Sequence, residues 1–154
     1  MTSAATSAKA GILNFDHVGI TVDDIDKVAD FFISLGFETE GRSPMEGEFL
    51  DTVVGMSDAQ TEIVMLRPPG GGTMLELGKF VRPASKPGTP DAPENEMGLR
   101  NVAFEVTGLD EILERLAADG YHPIGGVGEW EGIWRMAHVR GPEGLIVALA
   151  ERIG

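Results

Sequence analysis

The chain has no cysteine, no long apolar run and no cluster of basic residues, and each absence excludes a class of protein. Without cysteine among its 154 residues, it can form neither disulfides nor a thiolate site, as is usual for cytoplasmic proteins. No apolar run approaches the roughly 20 residues that cross a bilayer. Residues 1–9 are small and polar, which does not indicate a secretory signal. We therefore expect a cytoplasmic protein with no membrane partner.

Basic residues are also scarce, because 12 lysines and arginines face 25 acidic residues for a formal net charge of −13. No basic cluster offsets this charge in either half of the sequence. A phosphate backbone would be repelled by such a surface. We therefore expect no nucleic-acid partner, and a small molecule becomes the expected ligand.

What the sequence does contain is a repeat. Residues 16–22 and 100–106 both alternate apolar and polar side chains, as half-buried strands do, and both lead into apolar residues at helical spacing. A glycine follows each strand at the same interval, since Gly36 lies 19 residues after His17 and Gly120 lies 19 after Asn101. The sequence therefore predicts two copies of one folding unit.

The first copy reads as strand, helix and three further strands. Asp23 or Asp24 is the predicted helix cap, and Gly36 the predicted helix end. A second strand begins at 37–40, and strands at 61–67 and 73–80 flank a Pro/Gly turn. Residues 42–60 fit a loop, a short helix or a lid equally well.

The second copy repeats this order after a proline-rich linker. Thr107 is the predicted helix cap, with Asp110 three residues later. The predicted strands that follow span 122–129, 133–140 and 145–152. The expected organisation is a flexible leader (1–11), a first module (12–80), a linker (81–98) and a second module (99–154).

The side of each strand pair that faces away from the helix carries the candidate site. His17 and Glu76 lie on this side in the first copy, and Asn101 and Ala148 lie there in the second. The equivalence follows from counting, because Glu76 is four residues after Gly72 and Ala148 is four after Gly144. An unpaired carboxylate on a central strand would be costly, so Glu76 needs a ligand, a cation or water.

Five motifs in this order and spacing resemble the vicinal oxygen chelate superfamily, the glyoxalase/bleomycin-resistance group, over residues 13–152. They are Asp16-His17-Val18, Leu35-Gly36-Phe37, Met74-Leu75-Glu76-Leu77, Ala103-Phe104-Glu105-Val106 and Arg140-Gly141-Pro142-Glu143-Gly144. The resemblance implies an α+β fold in which two βαβββ modules form an open barrel around a cavity, often as a homodimer. It also implies metal ligands at positions 17, 76, 101 and 148.

Only two of these four positions keep a strong metal donor. His17 and Glu76 qualify, whereas Asn101 offers a weak neutral oxygen and Ala148 offers none. Tight binding usually needs three or more protein ligands. We therefore expect either no cofactor or a weakly held divalent metal such as Mn, Fe, Ni or Zn, with His138 or Glu105 as the nearest candidates to complete the set.

Small side chains and two tryptophans favour a binding pocket. Glycine or alanine occupies five positions of the cavity-facing parity, which leaves volume for a ligand. Trp130 and Trp134 flank a hairpin at Glu131-Gly132, where they either pack as core or stack on a planar ligand. The five small residues are Gly19, Gly78, Ala103, Ala148 and Ala150.

Two functions remain open, and whether the protein is an enzyme is undecided. The first is a metal-free protein that sequesters an antibiotic or other hydrophobic metabolite in the cavity between the two modules. The second is a lyase, isomerase or epimerase of the glyoxalase type, in which Glu76 abstracts a proton and His17 or a loosely held cation stabilises the enolate. A ring-opening dioxygenase ranks third, because it needs a full iron triad. The predicted ligand-binding residues are Phe49, Met65, Asn101, Trp130, Trp134, His138 and Ala148.

Overall fold

A computed structural model describes residues 9–154, so most of the predicted leader, residues 1–8, lies outside the described part. The described chain consists of two successive modules. The first contains β1 (His17–Thr21), α1 (Ile25–Ser34), β2 (Glu38–Glu46), α2 (Glu48–Val54), β3 (Gln60–Arg67) and β4 (Met74–Arg82). The second contains β5 (Asn101–Val106), α3 (Leu109–Ala118), β6 (Gly128–Trp130), β7 (Trp134–Arg140) and β8 (Ile146–Arg152), with a short 3₁₀ turn at Pro142–Gly144.

Each module folds into a four-stranded mixed sheet with the same topology. The strand orders are β1-β4-β3-β2 and β5-β8-β7-β6, with the first strand parallel to the last and the other pairs antiparallel. The registers also agree, because Gly19 lies opposite Glu76 and Ala103 lies opposite Ala148. The predicted α+β fold of two repeated modules is confirmed, with sheets that are not closed.

Helix α1 begins and ends where the sequence predicts. The Asp24 carboxylate accepts a hydrogen bond from the Lys27 N–H and caps the first turn. Gly36, with a φ of 111°, follows the last turn in a conformation that side-chain-bearing residues rarely adopt. Between these ends, Ile25, Val28 and Phe32 are buried against the sheet.

Helix α3 shows that one cap prediction was wrong. Its N-cap is Gly108, with a φ of 74° and no side-chain cap, rather than Thr107. The Glu151 carboxylate at the end of β8 instead accepts hydrogen bonds from the N–H groups of Gly108 at 2.8 Å and Leu109 at 3.4 Å. The cap is therefore supplied by a residue distant in sequence.

Two other segments differ from a simple repeat. The strand predicted over 122–129 is wrong for most of its length, because only Gly128–Trp130 forms a strand and Pro123 makes an isolated bridge to Val139. Proline and glycine are poor strand residues, and this segment contains several. Within the undecided residues 42–60, β2 continues to Glu46 and helix α2 follows.

The two modules share one hydrophobic core. Phe104 of the second module makes edge-to-face contacts with Phe32 and Phe37 of the first, with ring centroids 6.4 and 5.4 Å apart. Glu143, in the turn before β8, accepts hydrogen bonds from the N–H groups of Asp23 and Asp24 at the start of α1, both at 2.7 Å. In residues 9–154, no helix has the length and apolar character required to cross a bilayer.

Candidate functional site

The strand register places His17, Glu76 and Met65 on one face of the first sheet. Glu76 lies opposite Gly19 on β1 and opposite Met65 on β3, so the Glu76 and Met65 side chains share a face. His17 lies two residues before Gly19 and therefore points to the same side. The buried Leu75 and Leu77 point to the other side, where α1 packs. The predicted division of β1 and β4 into a helix-facing side and an opposite side agrees with this register.

On that face, His17 and Glu76 converge. The His17 Nε2 and Glu76 Oε2 atoms are 3.6 Å apart, and the two side chains are 37% and 34% exposed. The other ring nitrogen, Nδ1, lies 2.7 Å from Asp16 Oδ2 and can donate a hydrogen bond to it. One imidazole is therefore held between two carboxylates, and solvent or a ligand can reach it.

These neighbours change the acid–base behaviour of His17. The hydrogen bond to Asp16 is the main cause that raises the pKa of His17 above its ordinary value. Partial burial opposes the rise in pKa, while the negative charges of Glu76 and Asp16 add to it. The charged imidazolium is favoured as a result, and a metal would have to displace its proton in order to bind.

The His17–Glu76 pair has the geometry of two metal ligands but lacks a third. Two ligand atoms at about 2.1 Å from one ion are at most about 4.2 Å apart, so the 3.6 Å separation would allow both atoms to bind the same ion. Asp16 also resembles the carboxylates that orient metal-binding histidines. However, no three His, Asp or Glu side chains in residues 9–154 lie close enough together to hold a metal. The residues present therefore do not fit a tightly held ion.

The corresponding face of the second module carries the other predicted residues. His138 lies directly opposite Ala148, and Asn101 lies two residues before Ala103, the partner of Ala148 on β5. Trp130 and Trp134 form a cross-strand pair at the hairpin, as predicted, and Trp130 is 58% exposed. The guanidinium of Arg152 lies 5.4 Å from the centre of the Trp134 ring, a cation–π contact.

The linker folds back onto this face, which the sequence did not predict. Glu94 pairs with the His138 imidazole. Arg140 donates hydrogen bonds to the backbone carbonyls of Pro90 at 3.1 Å and Ala92 at 2.7 Å. His138 is thus engaged by the linker rather than by the His17–Glu76 pair, so it does not complete a metal site with them. The proline content of the linker predicts an extended spacer instead, so these contacts with the second module were not expected.

Among the cavities between the modules, two include predicted site residues or candidate donors in their walls. A cavity of about 480 Å³ includes Asn101 in its wall, and one of about 290 Å³ includes Glu105. Neither is lined by His17, Glu76 or the two tryptophans. Phe49, on α2, is 71% exposed. The structure therefore brings His17, Glu76 and Met65 together, and separately His138, Ala148, Trp130 and Trp134.

Comparisons with known proteins agree with this architecture. Residues 16–137 match the Glyoxalase/Bleomycin resistance protein/Dioxygenase superfamily. A glyoxalase family protein from Bacillus cereus is 35% identical, with a TM-score of 0.91 over 96% of this chain and 99% of that one. No curated protein sequence matches significantly.

Two more distant structures share the fold alone. TnmS3, an antibiotic binding protein from Streptomyces sp. CB03234, is 19% identical, with a TM-score of 0.60 over 93% of this chain and 98% of that one. The trypanothione-dependent glyoxalase I of Leishmania major is 21% identical, with a TM-score of 0.61 over 89% of this chain and 85% of that one.

Proposed function

We propose, since the chain belongs to the Glyoxalase/Bleomycin resistance protein/Dioxygenase superfamily, that it binds an antibiotic or other hydrophobic metabolite on the face that carries His17 and Glu76. The proposal rests on one observation, the loss of donors in the second module. The positions equivalent to His17 and Glu76 are Asn101 and Ala148. A site with two donors on one side and none opposite suits a bound organic molecule better than a tightly coordinated metal.

The residues around Glu76 support an apolar ligand. Gly19 leaves space opposite Glu76, because an added Cβ at Gly19 would meet no atom within 4 Å. Met65 supplies an adaptable apolar surface beside the carboxylate. The fold alone does not decide the function, because it serves both an antibiotic binding protein and a glyoxalase I.

In the proposed homodimer, a second copy of the chain completes this site. Phe49 and Val53 on α2 are 71% and 65% exposed, and Trp130 and Met136 are exposed on the second module. Exposed large apolar side chains are typical of protein interfaces when they form a patch. In a two-fold dimer, the donor-bearing face of one copy can meet the tryptophan-bearing face of the other. Analytical ultracentrifugation tests this, and a monomeric Phe49→Glu variant beside a dimeric wild type is expected.

Tryptophan fluorescence tests the binding function in the proposed dimer, because both tryptophans of the chain lie on the second face, which there meets the His17–Glu76 face of the other copy. A panel of aromatic antibiotics is titrated into the wild type, Glu76→Ala and Glu62→Ala. Saturable quenching in the wild type and Glu62→Ala, weakened in Glu76→Ala, supports the proposal. Glu62 is a suitable control because it pairs with Arg42 instead of His17. Absence of saturable quenching by every compound would contradict the proposal.

A lyase or isomerase is the second candidate, and the 3.6 Å approach of His17 to Glu76 favours it. The Glu76 carboxylate would take a proton from the carbon next to a carbonyl, and the C–H electrons would move to the carbonyl oxygen as an enolate. His17 as imidazolium would stabilise that negative charge. Return of the proton to the opposite face of the same carbon restores the carbonyl and completes an epimerisation.

Deuterium exchange distinguishes this candidate. An α-hydroxy ketone incubated with the protein in D₂O should gain deuterium at the carbon next to its carbonyl, and Glu76→Gln should abolish the gain. Exchange at the rate of the buffer alone would exclude the enzymatic role for that substrate class.

A further inference from the structure

The cavity of about 290 Å³ lies beside α3, away from the His17–Glu76 face. Its wall includes Phe104 and Leu149, whose side chains belong to the core beneath the helices, and Arg115 of α3. A smaller cavity of about 80 Å³ adjoins it, and Arg115 lines both. These volumes suit a ligand at the small end of the range of about 300 to 1,000 Å³ that is usual for small-molecule sites.

The part of the wall that the first module supplies is preformed. Gly36 lets the Pro69 ring pack against the backbone, since a Cβ at Gly36 would lie 3.0 Å from the Pro69 Cγ atom. A hydrogen bond of 3.1 Å from the Gly71 N–H to the Pro68 carbonyl closes the turn. Phe37, which also lines the cavity, is buried. A ligand therefore does not have to order this wall when it binds, which reduces the cost of binding.

Arg115 differs from the other arginines of the chain. Among residues 9–154 its guanidinium forms no ion pair or hydrogen bond, and Glu111 and Asp119, one helical turn away on either side, do not pair with it. The guanidinium instead borders an apolar cavity, where a carboxylate could bind it through two parallel hydrogen bonds. The other arginines contact acidic residues, backbone carbonyls or an aromatic ring, and they are Arg42, Arg67, Arg82, Arg100, Arg135, Arg140 and Arg152.

Glu105 lines the same cavity and forms no ion pair with Arg115 or with any other described residue. Both side chains belong to exposed residues, so the atoms of a ligand can reach them. A simple anion is disfavoured here, because Glu105 and Asp119 are close by and the chain has a net charge of −13. A molecule that carries one positive and one negative charge is not repelled in this way, and it can meet both Arg115 and Glu105.

The rest of the wall is apolar and includes Leu35, Ile112 and Leu149. An aliphatic group on the ligand would be removed from water there. We propose that this cavity binds a small zwitterion with an aliphatic side chain, such as an α-amino acid, whose carboxylate pairs with Arg115 and whose ammonium group pairs with Glu105.

L-Leucine is the probe, and amide NMR spectra of isotope-labelled protein detect and locate its binding. Titration into the wild type should cause saturable shifts at residues 104–106 and 112–116. N-acetyl-leucine lacks the ammonium group and leucinamide lacks the carboxylate. Each of these two compounds should bind about tenfold more weakly than leucine, because it leaves one charged side chain without its partner.

Two variants test the assigned contacts. Arg115→Met and Glu105→Gln should each weaken leucine binding about tenfold. N-acetyl-leucine has no ammonium group for Glu105 to hold, so Glu105→Gln should bind it at least as tightly as the wild type does. Glu114→Gln removes a charge from the same helix at a position that lines neither cavity, and this matched control should bind leucine as the wild type does.

The inference is overturned if leucine causes no saturable shifts, if the largest shifts lie on the His17–Glu76 face, or if Arg115→Met and Glu105→Gln bind leucine as tightly as the wild type does. Thermal unfolding of each variant establishes that it is folded before its affinity is used. Glu76→Ala should leave leucine affinity unchanged, because Glu76 lines neither cavity. The proposed function, tested by antibiotics at Glu76, is therefore decided separately.

Discussion

The two modules of this protein share a topology and a strand register, yet their exposed faces have different chemistry. Leu77 and Leu149 occupy equivalent buried positions on β4 and β8, and the residues just before them are Glu76 and Ala148. The side that packs against helices has kept its apolar character in both copies. The opposite side differs, because it carries the partly exposed Glu76 in the first module and the buried Ala148 in the second.

The linker makes the second difference between the modules. Through Glu94 and the carbonyls held by Arg140, it lies on the second module, where His138 would otherwise be open. The His17–Glu76 pair remains open to solvent on the first module. The face of the first module therefore presents polar groups that a ligand can reach. On the face of the second module, His138 is instead paired with the linker.

The largest expected effect tests whether the modules form one cooperative unit. Leu77→Ala and Leu149→Ala remove equivalent, fully buried side chains from one shared core. Each should lower the free energy of unfolding by about 2 to 5 kcal/mol. Urea denaturation should show a single transition for both variants, shifted by similar amounts. Two separate transitions, each affected by only one substitution, would mean that the modules fold independently.

Removing a helix cap should have a smaller effect on the free energy of unfolding. One cap is a contact between the modules, and the other lies inside the second module. Glu143→Ala removes the acceptor for the start of α1, and Glu151→Ala removes the acceptor for the start of α3. Each should cost about 1 kcal/mol in the free energy of unfolding. Glu143→Gln keeps an acceptor oxygen and should cost less. If Glu143→Ala were as stable as the wild type, this cap would not stabilise the junction between the modules.

Much of the fold could be predicted because it depends on local patterns. Alternation identified β1 and β5, and the Asp24 and Gly36 signals bounded α1. Counting from the turn glycines placed Glu76 and Ala148 at equivalent positions, and the register agrees. Duplication was decisive, since each copy served as a check on the other.

The features that the sequence did not reveal depend on partners distant along the chain. Arg140 reaches linker carbonyls about 50 positions away, and Glu151 caps a helix that begins 42 residues before it. Nothing in the residues around Thr107 shows that α3 is capped by a different residue. Similarly, the exposed Phe49 of α2 gives no periodic signal in a segment of seven helical residues.

The smallest expected effect concerns the charge of His17. Asp16→Asn removes the main cause of its raised pKa and should lower that pKa towards the ordinary value, and Glu76→Gln should lower it less. Because the folded-state pKa is raised, the stabilisation from these contacts is complete below about pH 6.5 and is lost as pH rises through the folded-state pKa. NMR titration of the His17 ring measures both shifts. A pKa that is unchanged in Asp16→Asn would contradict the assigned cause.

The metal content of protein prepared without chelator tests the central claim most directly. The wild type, Glu76→Ala and the control Glu62→Ala are compared by inductively coupled plasma mass spectrometry. Because no third His, Asp or Glu in residues 9–154 joins His17 and Glu76 as a metal ligand, all three proteins should carry far less than one divalent ion per chain. Stoichiometric Mn, Fe, Ni or Zn in the wild type and Glu62→Ala, lost in Glu76→Ala, would contradict the account.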